Sequence, residues 1–199
     1  MFQFRAGSEV PFPEMISEGY SLLKGQICAN ISADRIKTVI ERFIAIHRDE
    51  PLFFILELPS SLDDENEVEP GVVEAMHVDV YYIDGCTDRD ALEILALVGD
   101  LLINDGLCSF GFGCHQSTDE IMFGKYNVTT IYSPKIKRYV AFMKDLNVAR
   151  TDDLVTAWDT FTPEHPGSSE RIEMNGKSIF DVPEMLADRG IYKAEQREE

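Results

Sequence analysis

Apolar residues recur along this chain at two periods, and the change of period marks the elements. From Ser32 to about His47, Ile36, Val39, Ile40, Phe43, Ile44 and Ile46 fall three and four apart, which predicts an amphipathic helix capped by Ser32 and closed ahead of Pro51. Residues 13–26, with Pro13 in the first turn, predict another helix before it. Residues 52–58 (LFFILEL) are aromatic and branched over strand length and predict a buried strand; residues 78–83 predict a second. Asp84-Gly85 is a turn signal. Thr87, with Asp90 three residues on, opens a helix to about Ile103 whose inner side is Leu92, Leu95, Ala96, Gly99 and Leu102, ended by Asn104-Asp105-Gly106. Residues 107–112 and 127–132 predict a third and fourth strand, and Ser133-Pro134 opens a helix through about Leu146.

This pattern predicts an α+β fold. It has a mostly antiparallel sheet of about four strands (two hairpins in ββαββα order), helices on one face, two N-terminal helices and a small C-terminal hairpin-helix extension. The expected domain is 1–149. Residues 150–199 form the extension, with a hairpin turned at Asn175-Gly176, a short helix over 182–189 and a frayed charged tail. At 199 residues and 44% hydrophobic, the chain can bury a substantial core.

Charge changes the picture more than composition does. Residues 49–124 hold 18 Asp or Glu and one basic residue, Arg89, for a net −17, whereas residues 1–48 sum to +1 and 125–199 to −2. Such acidity disfavours nucleic acid, whose phosphates need clustered Lys and Arg, and anionic lipid. It favours a basic protein partner. No apolar run reaches the roughly 18–20 residues of a membrane span. Cys28, Cys86, Cys108 and Cys114 lack C-x-x-C spacing and no secretory signal is read, so reduced thiols and a cytoplasmic location are expected.

The densest acidic run is Asp63, Asp64, Glu65, Glu67 and Glu69. It lacks the turn glycine and register of a calcium loop and reads as a partner-facing loop, with Asp119 and Glu120 as further partner-binding candidates. Glu57, His77 and Asp79 are a second constellation: alternation puts His77 and Asp79 on one face, where a hairpin partner brings Glu57 across for acid–base or metal chemistry. Residues 109–127 hold Gly111, Gly113, Cys114 and His115, but their glycine spacing fits no phosphate-binding loop. His115 points away from Cys114 on a strand, so a cysteine nucleophile is disfavoured, and the glycines read as room for a twisted hairpin. Trp158 reads as a clamp for the C-terminal segment, and Lys135, Lys137 and Arg138 as a solvated helix face.

Residues 79–85 (DVYYIDG), 103–106 (INDG), 110–113 (FGFG), 119–121 (DEI) and 125–127 (KYN) resemble a loose group of uncharacterised bacterial proteins over residues 75–160. In size and charge the chain is also similar to acidic immunity proteins that neutralise bacterial toxins. That resemblance implies a non-enzymatic inhibitor of a basic toxin or nuclease-like domain, and it carries no catalytic residue. No cofactor or metal is expected. Two alternatives stand beside it: a small hydrolase or metal-dependent enzyme built on Glu57, His77, Asp79, His115, Asp119 and Glu120, and an oligomeric scaffold or regulatory module.

Overall fold

The structure is a computed structural model that describes residues 2–59, 67–69, 72–73 and 77–198, with residues 67–69 and 72–73 described as backbone only. In chain order the strands are β1 (Ser8–Glu9), β2 (Gly19–Leu23), β3 (Gln26–Asn30), β4 (Leu52–Pro59), β5 (Glu67–Glu69), β6 (Val72–Val73), β7 (His77–Cys86), β8 (Ser109–Cys114), β9 (Asp119–Phe123), β10 (Val128–Tyr132), β11 (Ser168–Ser169) and β12 (Tyr192–Glu198). The helices are α1 (Ala33–Ile46), α2 (Asp88–Asn104), α3 (Ile136–Asp145) and the short α4 (Val182–Met185).

The fold is α+β around one eight-stranded antiparallel sheet in the order β12-β7-β4-β8-β9-β10-β3-β2, with β1–β11 and β5–β6 as separate two-stranded pairs. This corrects the expected four-strand sheet with two N-terminal helices. The segment 13–26 is a single 3-10 turn at Pro13–Met15 followed by the β2–β3 hairpin. Lys24 and Gly25, at φ 29° and 89°, form a two-residue hairpin loop whose positive φ values match strand twist. A further missed strand, β9, lies between β8 and β10, so the expected third and fourth strands are not neighbours. The charged tail is β12, paired with β7 at the sheet edge. The C-terminal hairpin shrinks to a turn with one bridge, Met174 to Lys177, and the closing helix to α4 plus the 3-10 turn Ala187–Arg189.

Helices α1 and α2 lie where their apolar spacing places them. Thr87 and Asp90 form a reciprocal capping box at the start of α2, satisfying backbone donors that a helix end leaves unpaired. Its buried face is turned from the expected one: Ile94 and Val98 point inward, while Leu92 is exposed. One core holds α1 (Ile36, Ile40, Phe43), α2 (Ile94, Leu95, Val98) and α3 (Tyr139, Met143) against Phe54, Leu56, Phe110, Phe112 and Ile121 of the sheet. Ile179, Val182 and Leu186 join the same core, so the C-terminal segment is packed into it.

Residues alternating with these point to the second sheet face, where Phe53, Ile55 and Val80 make a separate cluster with Val78, Tyr82 and Met122. That cluster is built from strand residues alone. Among the described residues, no helix is long and apolar enough to cross a membrane.

Candidate functional site

One end of this second face carries a cleft of about 430 Å³. Its floor is Phe53 of β4, whose ring packs 5.7 Å from Tyr82 of β7 and stacks 4.6 Å from His115, just beyond β8. Tyr192 opens β12 and lies opposite Tyr82 in register, their rings 6.5 Å apart. Tyr132 and Glu120 face each other across β10 and β9 and close the far side. Glycine makes the floor possible. A Cβ on Gly113 would sit 2.3 Å from the Phe53 ring, and one on Gly111 would sit 2.0 Å from the Ile121 carbonyl oxygen.

Two carboxylates stand among these rings. Asp84 Oδ1 lies 2.9 Å from His115 Nε2, and Asp84 Oδ2 accepts a hydrogen bond from the Tyr192 hydroxyl. The Tyr192 bond first and the His115 bond second hold the Asp84 carboxyl below its usual range. Glu120 behaves oppositely: burial pushes its carboxyl up, Glu57 adds to the shift and Arg197 opposes it. The cleft therefore presents a fixed anion on one side and, on the other, a carboxylate destabilised by its surroundings.

A second polar cluster lies across the sheet, where α1, α3 and the β8–β9 turn meet. Asp119, 2% exposed, accepts from the Tyr139 hydroxyl at 3.0 Å and lies 3.4 Å from Arg138 Nη1, while the Tyr139 hydroxyl also meets His47 Nε2 at 2.8 Å. Burial, then the Arg138 charge, pushes the His47 imidazolium pKa down, against Glu50 and Asp119. Cys114 is fully buried beside this cluster, and burial raises its thiol to about 12, which makes it a poor nucleophile.

The residues singled out from the sequence are dispersed over these surroundings. Asp63, Asp64 and Glu65 lie outside the described residues, and of Glu67 and Glu69 only the backbone of β5 is described. Both Glu120 and Asp119 border the cleft, but alternation along β9 turns the Asp119 carboxylate toward Tyr139 on the core side. Glu57 pairs in register with Val80 and Asp79 with Leu58, so Glu57 and Asp79 face opposite sides of the sheet. Each is engaged separately: Glu57 with Arg197 at 2.9 Å, and Asp79 with Lys193 at 2.6 Å and His77 at 3.4 Å. Of the six residues of the enzyme alternative, His115, Asp119 and Glu120 border the cleft, whereas Glu57, His77 and Asp79 do not. His115 does point away from Cys114, whose imidazole neighbour is His47 instead. Trp158 packs edge-on against Tyr126 and Phe161 but stays 53% exposed, which makes it as much surface as clamp. Arg138 is no solvated charge, since it bonds the Ile46 carbonyl at 2.7 Å as well as facing Asp119.

Sequence reasoning missed Phe53, Tyr82, Asp84, Tyr132 and Tyr192. The uninterrupted apolar run of β4 hid which of its residues face the cleft, and Tyr192 belongs to the segment read as a frayed tail. No family model matches this chain, and neither a curated protein nor a solved structure matches it.

Proposed function

We propose that this chain is a non-enzymatic binding protein of the inhibitor or immunity kind, and that its cleft receives an arginine or lysine side chain of a basic protein partner. The observation that carries the reading is the placing of Asp84 and Glu120 among the rings of Phe53, Tyr82, Tyr132 and Tyr192. A guanidinium suits that surrounding, because it stacks on ring faces while its fork of N–H donors meets a carboxylate. Tyrosine is also among the residues that carry most binding energy at protein interfaces, and Tyr132 and Tyr192 are about half exposed. The wider acidity, with Asp63, Asp64, Glu65, Glu67 and Glu69 as its densest run, steers such a partner and sets the rate of encounter.

Chemistry favours binding over turnover. The fully buried Cys114 thiol is held protonated, and the exposed His115 pairs with a carboxylate instead of a nucleophile. The test is an NMR titration with a short arginine-bearing peptide and its citrulline counterpart. The arginine peptide should shift resonances of Phe53, Tyr82, His115 and Tyr192 and the citrulline peptide should not. Equal shifts from both, or shifts spread evenly over the acidic surface, would sink the proposal.

A further inference from the structure

The cluster across the sheet from the cleft sets a buried imidazole beside a carboxylate and a buried thiol. Three contacts run in series: Asp119 Oδ2 to the Tyr139 hydroxyl at 3.0 Å, that hydroxyl to His47 Nε2 at 2.8 Å, and His47 Nδ1 to Glu50 Oε1 at 3.3 Å. His47 Nε2 is thus engaged by the Tyr139 hydroxyl, and Nδ1 faces the Glu50 carboxylate near the buried Cys114 sulfur.

We propose that His47 Nδ1, the Glu50 carboxylate and the Cys114 sulfur form a binding site for a divalent cation of the zinc class. One ligand atom from each of the three residues lies within 4.8 Å of the others, and His47 Nδ1 is the ring nitrogen 3.3 Å from Glu50 Oε1. In a tetrahedral zinc site, sulfur, nitrogen and oxygen ligands stand about 3.5 Å apart, so a modest inward movement completes the geometry. Glu50 can supply it: its side chain is 25% exposed, at the turn that follows α1, whereas that of His47 is fully buried. The same side chain gives the ion a route from solvent.

The surroundings have the character of a metal centre. A ligating histidine is oriented by a hydrogen bond from its other ring nitrogen, and His47 Nε2 is fixed by the Tyr139–Asp119 relay. Asp119 Oδ1 is buried without a hydrogen-bond partner, which is a cost that an unfilled polar pocket carries. Sulfur, imidazole and carboxylate together select zinc or cobalt over magnesium or calcium. On binding, the Cys114 thiol loses its proton to solvent and the thiolate takes up the metal bond. With three protein ligands the fourth position is left to water.

Cobalt(II) added to the reduced full chain is the test. Wild type should develop a thiolate-to-cobalt charge-transfer band that saturates at one equivalent and is displaced by zinc. Cys114→Ser should abolish the band and Cys28→Ser, at a separate half-buried thiol, should leave it. Glu50→Gln should weaken cobalt affinity by at least about 10-fold, the least that disturbing such a site costs. No band in wild type overturns the proposal, as does a band lost in Cys28→Ser and kept in Cys114→Ser. Should Cys114→Ser fail to fold, Glu50→Gln decides alone, and unchanged cobalt affinity there overturns the site.

Discussion

Arg5 is 1% exposed, and replacing it with methionine removes a buried charge whose acceptors are all backbone carbonyls. Its Nη1 donates to the Cys108 carbonyl at 2.9 Å and, less closely, to that of Asp105 at 3.4 Å, while Nη2 donates to the Phe123 carbonyl at 3.1 Å. The side chain therefore ties the N-terminal segment to the turn that leads into β8 and to the end of β9, and its guanidinium lies 5.6 Å over the Phe110 ring. Hydrogen bonds from charged donors contribute about 1.5–3 kcal/mol each, so losing the two short ones costs about 3–6 kcal/mol. Part of this is offset, because methionine fills similar volume without the penalty of desolvating a charge. A net loss of about 2–4 kcal/mol is expected, a large share of the 5–15 kcal/mol typical of a domain. Arg5→Lys should fall between wild type and methionine, since a single ammonium cannot span both carbonyls. Urea denaturation measures this as a lower midpoint at unchanged slope. A methionine variant with the wild-type midpoint would show that desolvation cancels the hydrogen bonds and that Arg5 is no clamp.

Gly113→Ala should destabilise by about 1–3 kcal/mol by driving a methyl into Phe53, and should disturb the Phe53–His115 stack, visible as shifted ring resonances. Glu120 tests the sign of a raised pKa: the folded state holds its proton more tightly than the unfolded chain, so ionisation opposes folding as pH rises through the raised value. Glu120→Gln should accordingly be more stable than wild type at neutral pH, with the difference vanishing below the ordinary carboxylate range; equal denaturation midpoints at both would contradict this. Strand β12 is exposed at all seven residues, so its amides should exchange with solvent far faster than those of β8. Truncation after Gly190 should leave cooperative unfolding intact while weakening arginine-peptide binding through loss of Tyr192, as calorimetry would show.

Helices α1, α2 and α3 were legible in the sequence because their signals are local, whereas the helix expected over 13–26 is a 3-10 turn and a hairpin. Thr87 and Asp90 cap α2 as their spacing implies, and the three-four spacing of Ile36, Val39, Ile40 and Phe43 fixes the buried face of α1. Strands were less so. Residues 19–30 carry enough leucine and isoleucine to suit either state, and the deciding signal, Lys24-Gly25 between alternating apolar residues, is two residues long. Strand β12 has no hydrophobic signal at all. Its sequence, YKAEQRE, pairs with β7 through backbone bonds and through Lys193–Asp79 and Arg197–Glu57 contacts that only the tertiary structure brings together.

The acidic stretch was plain in the sequence, but the work of its members was not. Asp90 caps a helix; Asp105, fully buried, accepts from the backbone of Leu107, Cys108 and Ile172; Asp119 is buried in the His47 cluster. Local charge density cannot separate such structural carboxylates from Asp84 and Glu120, because alternation on a strand and pairing across a sheet decide which side each one faces. The candidate site joins residues from β4, β7, β9, β10 and β12, so it exists only once the sheet has formed.

The most direct measurement is the affinity of one arginine-bearing peptide for wild type and for the paired variant Asp84→Asn with Glu120→Gln, at low and at high salt. Removing two of the many carboxylates hardly alters the overall charge but takes both anions from among the rings. A loss of about tenfold or more, corresponding to about 1.4 kcal/mol, with a residual affinity that salt still weakens, is the predicted result. Wild-type affinity in the paired variant would contradict it and would leave the acidity as a diffuse property of the surface.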